Sequence, residues 1–99
     1  MRVISRKALR DFWLKAGRHD SEQALKAWLY EAKAAKWKNS SEIKMKYRTA
    51  SIINNKRVVF NICGNKYRLI VAINYQIGIV FIRFIGTHTE YDKVNPEEV

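Results

Sequence analysis

The sequence of 99 residues is poor in cysteine and proline, with one of each, Cys63 and Pro96. A lone thiol can close no internal disulfide and supply no multi-cysteine metal site, and within an apolar strand it reads as a small buried hydrophobe. Long apolar runs are missing as well. The longest, such as residues 69–73, fall far short of the ~20 residues that a membrane-spanning helix needs. No basic amphipathic anchor replaces them, so no membrane partner is expected. Met1 leads directly into Arg2 and a strand-like Val3-Ile4, without a hydrophobic signal region or a cleavage site, and a cytoplasmic location is expected. Carboxylates are scarce: 9 Asp plus Glu stand against 19 Lys plus Arg, a formal charge of +10. Such an excess favours a polyanion, and nucleic acid is the leading partner. The two histidines, His19 and His88, are far apart in sequence and no acidic residues cluster beside them. No ligand set for a catalytic divalent ion is therefore expected, nor any other cofactor.

What is present is enough for a core. Apolar residues make up 47% of the chain, which argues against disorder, and the length suits one domain spanning residues 1–99. The first half has helical periodicity. Ala8, Leu9, Phe12, Trp13 and Ala16 share a face over residues 6–16, and Gly17 follows as a stop. Asp20 and Gln23 have the spacing of a capping box, ahead of a stripe formed by Ala24, Leu25, Trp28, Leu29, Ala32, Ala35 and Trp37. Asn39 and Glu42 repeat that signal before a short helical piece at residues 43–47.

The second half changes to period two. Residues 57–63 and 66–75 read as strands joined by Gly64-Asn65, a strong hairpin signal, and residues 79–85 form a third strand after a turn near Gly78. The expected fold is α+β: two N-terminal helices packed on an antiparallel β-sheet. With Gly64 and Asn65 at the turn, Cys63 faces Lys66 and Asn61 faces Arg68. A loop at residues 75–78 sets Arg83 opposite Ile70, on the same side as Arg68 and diagonal to it, with Cα atoms roughly 7 to 8 Å apart. The opposite side, aliphatic and aromatic, is left for the helices.

After the third strand comes Gly86-Thr87-His88-Thr89-Glu90-Tyr91-Asp92. Thr87 and Glu90 again have capping-box spacing, which predicts a helical turn from His88 with Tyr91 and Asp92 on the histidine's side and backbone amides free for a phosphate. An imidazole, a phenol and two strand arginines suit RNA cleavage by the neighbouring 2′-hydroxyl, which needs a base, an acid and cations for the charge that develops on phosphorus. Each has a plainer role open to it: hydrogen bonding for His88, capping the core edge for Tyr91, ion pairs with Glu90 or Asp92 for the arginines, and solvation for Lys66.

The strings Arg57-Val58-Val59-Phe60-Asn61-Ile62, Gly64-Asn65-Lys66-Tyr67-Arg68-Leu69 and Ile82-Arg83-Phe84-Ile85-Gly86-Thr87-His88, followed by Glu90-Tyr91-Asp92, resemble the HigB toxin family of the RelE superfamily. The opening residues 1–9 and the helix bearing Trp28 and Trp37 resemble it too. The resemblance implies a RelE-like fold and a type II toxin that cuts translated mRNA in the ribosomal A site without a metal. It also implies a HigA-type antitoxin with a helix-turn-helix domain, through which alone the toxin reaches operator DNA. On this reading Arg68 and Arg83 stabilise the phosphate and the transition state, His88 and Tyr91 form the acid–base pair, and Asn61, Lys66 and Asp92 support them. Which of the pair is the base is left open. Lys26, Lys33, Lys36, Lys38, Lys44, Lys46 and Arg48 are candidate contacts to ribosomal RNA. The rival reading is a non-catalytic RNA- or ribosome-binding module that displays Phe81 and Tyr75 to bases. The Glu97-Glu98 segment after Pro96 reads as frayed.

Overall fold

The computed structural model describes all 99 residues. Strand β1 (Arg2–Ile4) opens the chain, and α1 (Lys7–Trp13), a 3-10 turn at His19–Ser21, α2 (Glu22–Ala34) and α3 (Ser40–Lys46) follow. The strands β2 (Ser51–Ile52), β3 (Arg57–Ile62), β4 (Tyr67–Asn74) and β5 (Ile79–Thr87) lead into one last turn of helix, α4 (His88–Tyr91). They form one five-stranded sheet in the order β1-β5-β4-β3-β2.

The expected architecture needs correcting in two respects. The sheet is mixed, because β1 lies parallel to β5 while all other pairs are antiparallel, and the helices are not all N-terminal, since α4 follows the sheet; α3 and α4 form where the Asn39–Glu42 and Thr87–Glu90 spacings predict them. A tight turn forces its two strands antiparallel, but a strand whose connection runs through a helical layer can lie parallel. Val3 sets the position of β1: it pairs with Val80 and both are buried in the core.

The core lies between the helices and one face of the sheet. Phe60 of β3 is its aromatic centre, with ring centroids of Trp28 at 5.4 Å, Tyr47 at 5.0 Å and Trp37 at 6.3 Å. Trp37 reaches it from an extended segment, since α2 ends at Ala34 and the backbone turns extended at Ala35. Removing a buried aromatic of this kind costs about 3–5 kcal/mol. Asn39 caps α3 as its spacing predicts, its side chain accepting from the Glu42 amide at 3.1 Å. Asp20 does not cap α2; Ser21 occupies that position without a side-chain cap.

The β3–β4 register is the one implied by the Gly64-Asn65 turn, with Asn61 opposite Arg68. Cys63 is half-buried at the end of β3 with φ at +55°, so it is a turn residue packed at the core's edge and not an interior one. On β5 the alternation breaks. Ile70 pairs with Phe84 and Val71 with Ile82, which leaves Arg83 as the extra residue of a β-bulge instead of the partner of Ile70. Val80 and Ile82 face the helices, and after the bulge Ile85 takes the next inward place.

The second face of the sheet is partly covered as well. Val59 and Ile70 pair on that face and are buried, although neither belongs to the core shared with the helices. Residues 93–99 return across it. Arg57 donates to the carbonyl oxygens of Pro96 and Val99, and Val94, Pro96 and Val99 are half-buried. This segment, expected to fray, is held down by a strand arginine.

Candidate functional site

The hairpin end of the second face and the α4 turn build one constellation. Arg68 sits on β4 opposite Gly86, a residue with no side chain to block it. Its guanidinium is clamped from one side by Asn65, donating from Nη1 to the backbone oxygen at 3.1 Å and from Nη2 to Oδ1 at 2.5 Å. Its Cζ lies 5.8 Å from the Tyr91 ring centroid. The planar guanidinium is thus held between a hairpin amide and a phenol ring, which fixes its orientation.

Thr87 and Glu90 form the anticipated capping box: the Thr87 hydroxyl accepts from the Glu90 amide at 3.1 Å, and the Glu90 carboxylate accepts from the Thr87 amide at 2.8 Å. That amide, assisted by the Thr87 hydroxyl and by the charges of Arg18 and Lys15, holds the Glu90 carboxyl below its usual range. His88 N–H donates to the Lys66 carbonyl at 3.3 Å. The amides of Thr87, His88 and Glu90 are therefore bonded within the chain. The expectation that this turn offers several free amides to a phosphate is corrected: only the Thr89 amide is left without a partner in the chain.

His88 Nδ1 lies 3.2 Å from Asp92 Oδ2, one helical turn on. An ionised carboxylate only accepts, so Nδ1 is the donor and Nε2 is left for an external proton. Lys66 is not free. It pairs with Asp20, which also accepts from the Tyr67 hydroxyl at 2.5 Å. Lys66 and then Tyr67 draw the Asp20 carboxyl below its ordinary value, and Asp20 in turn raises the Lys66 ammonium. Burial and the coulombic field of Asp20 push the nearby Cys63 thiol up, which disfavours its thiolate.

The structure therefore brings together Arg68, Tyr91, His88 and Asp92, with Lys66 joined through its backbone. Asn61 is level with Arg68, but its amide turns to the Thr49 carbonyl at 3.4 Å. Arg83 stands apart: the bulge sends its guanidinium over Phe81, 5.4 Å from the ring centroid, beside a hollow that also includes Arg57, Tyr75 and Gln76. Neither Arg68 nor Arg83 pairs with Glu90 or Asp92. Two contributors carry weak sequence signals. Asn65 reads as a turn residue, although an amide three positions before a strand arginine is a usable signal. Asp20 reads as a helix cap, and nothing local marks its distant partners.

Among the basic residues of the helical half, Lys26 is paired with Glu22 at 2.5 Å, Lys46 approaches Glu31 at 3.9 Å and Lys44 donates to the Ala50 carbonyl. Lys33, Lys36, Lys38 and Arg48 are exposed and have no carboxylate partner. No three His, Cys, Asp or Glu side chains stand close enough to share a metal ion, and no helix is long and apolar enough to cross a membrane.

A small basic α+β protein with a mixed sheet, whose uncovered sheet end presents an oriented arginine, a phenol and a carboxylate-bound histidine, has the architecture of a RelE-like protein. The chain belongs to the HigB toxin family, described as the RelE-like toxic component of a toxin-antitoxin system, whose model matches residues 21–94. It is thus the toxin of such a system, and an antitoxin is its implied partner. No curated protein matches the chain.

Proposed function

We propose that residues 1–99 act as one toxin domain, an endoribonuclease that cleaves translated mRNA in the ribosomal A site and so inhibits translation. The RNA's own 2′-hydroxyl is the nucleophile, and no metal ion is required. The observation that carries this reading is the Arg68 guanidinium, oriented by Asn65 and Tyr91 beside the His88–Asp92 pair.

Arg68 neutralises the non-bridging phosphate oxygens as negative charge builds there. His88, oriented by Asp92, and Tyr91 exchange the two protons of the reaction, one leaving the 2′-hydroxyl and one reaching the departing 5′-oxygen. Arg83 supplies the second cation along the strand, and Asn61 and Lys66 support the hairpin that carries Arg68. Lys33, Lys36, Lys38 and Arg48 meet ribosomal RNA phosphates. The protein works in the cytoplasm, away from membranes, where a HigA-type helix-turn-helix antitoxin neutralises it and carries it to operator DNA.

The test is brief induction of the wild type, Arg68→Ala and His88→Ala in bacteria, with mRNA 5′ ends mapped within minutes. In-frame cuts and growth arrest with the wild type, reduced about 100-fold or more in folded variants, support the nuclease. Intact mRNA in the presence of well-expressed wild type rejects it in favour of a non-catalytic RNA-binding module.

A further inference from the structure

Arg83, the second cation of the reading above, borders a bay on the second sheet face whose other residues that reading leaves without a role. The bay lies toward the β4–β5 turn, away from α4, and is an open hollow of about 590 Å³ bordered by Lys56, Arg57, Tyr75, Gln76, Phe81 and Arg83. From this bay we infer a second RNA subsite, which holds one nucleotide neighbouring the scissile one by stacking its base on the Arg83–Phe81 layer and meeting its phosphate with Lys56. The inference rests on the nuclease reading for the word scissile only; an RNA-binding bay stands without it.

The bulge carries the argument. A bulge re-aims the side chain at the extra residue, and here the extra residue is the strand's only arginine. Phe84, its neighbour, turns toward Gly86, where its ring would come within 2.5 Å of a Cβ. Arg83 turns the other way and lies over Phe81, so the two side chains diverge. Phe81 itself pairs with Ala72, whose small side chain leaves the ring half-exposed. The resulting surface is a guanidinium plane on an aromatic ring. Single-stranded RNA bases stack on aromatic rings and on arginine planes alike.

Charge points to the same ligand. Lys56 and Arg83 are exposed and, like Lys33, Lys36, Lys38 and Arg48 elsewhere, have no carboxylate partner. No Asp or Glu borders the bay, while Asn55 and Gln76 place amides on its rim, able to donate to and accept from a base edge, and Asn74, whose Oδ1 already accepts from the Gln76 and Ile77 amides, has its Nδ2 to donate. Cations without counter-ions, an aromatic floor and an amide rim together suit a nucleotide better than a peptide.

The probe is a short mRNA programmed on ribosomes, methylated on the 2′-oxygen of the scissile nucleotide and carrying 2-aminopurine at successive flanking positions. Stacking quenches that base. Wild-type protein quenches one flanking position, Arg83→Gln and Phe81→Ala abolish the quench, and each raises the Kd about five- to hundredfold. Arg83→Gln alters an exposed side chain and is expected to fold; circular dichroism checks this for both variants. Arg83→Lys restores charge without the plane, and regains the salt dependence of binding but not the quench. Cutting of unmethylated mRNA with no flanking position quenched, or a quench that survives in folded variants, overturns the subsite. A quench lost in both variants while the wild type cuts nothing keeps the bay and overturns the nuclease.

Discussion

Asp20 accepts a hydrogen bond from the Tyr67 hydroxyl at 2.5 Å while also pairing with Lys66, and so one carboxylate ties the connection between the first two helices to the hairpin that carries Arg68. Because its folded pKa lies below the usual value of 3.8, the stability it adds is present above that value and is lost as pH falls through the lower folded one. Lys66 has the opposite sign: its contribution holds below 10.5 and is lost as pH rises through its raised value. Asp20→Asn is therefore expected to lower Tm near neutral pH and to flatten its fall below about pH 4. Calorimetry across pH 2–7 reads this directly, and an unchanged acid limb would separate Asp20 from the pH response.

Gly86 is fixed by its neighbours. A Cβ there would stand 2.5 Å from Phe84 Cζ and 3.1 Å from Glu90 Oε1, the oxygen that accepts the Thr87 amide. Gly86→Ala is expected to cost about 1–3 kcal/mol by overpacking, seen as a lowered denaturant midpoint. In a Phe84→Ala background most of that cost disappears, because the clash is with the ring; equal costs in both backgrounds would place the strain elsewhere.

Tyr75 has a buried hydroxyl without a hydrogen-bond partner, and burial raises its pKa. Tyr75→Phe removes an unsatisfied group without changing the ring. Its Tm is expected to equal or exceed that of the wild type, by up to about 1 kcal/mol in stability. A drop in Tm would reveal a bridging water at that hydroxyl.

In the proposed mechanism Asp92 acts through His88, whose Nδ1 lies 3.2 Å from its carboxylate. Loss of a general acid or base costs about 10²–10⁴-fold, so His88→Ala is expected to reduce mRNA cleavage on that scale and Asp92→Asn by less. The double variant should be no worse than His88→Ala, as for residues that act as a unit. Additive losses measured in a translating extract would give Asp92 a role of its own.

What could be read in the sequence was local. The Gly64-Asn65 turn specified the β3–β4 register, and the Thr87–Glu90 and Asn39–Glu42 spacings marked two helix starts, because each depends on residues a few positions apart. The same spacing at Asp20 and Gln23 misled, since Tyr67 and Lys66 compete for that carboxylate from a distant strand. The bulge was hidden for a related reason. Val80, Ile82 and Phe84 keep perfect alternation in the sequence, and only packing shows that Ile85, not Phe84, joins the core. Four residues of the expected site, Arg68, Tyr91, His88 and Asp92, are brought together, and the position of Arg83 required the bulge to be seen.

The parallel pairing of β1 with β5 has a consequence for the order of assembly. Arg2, Val3 and Ile4 are made first yet find their partners only at Ile79, Val80 and Phe81, and Tyr91 and His88 follow later still. Contacts so distant in sequence close late in folding. A nascent chain therefore holds this strand unpaired, with its edge open to other partners, until Ile79, Val80 and Phe81 have emerged.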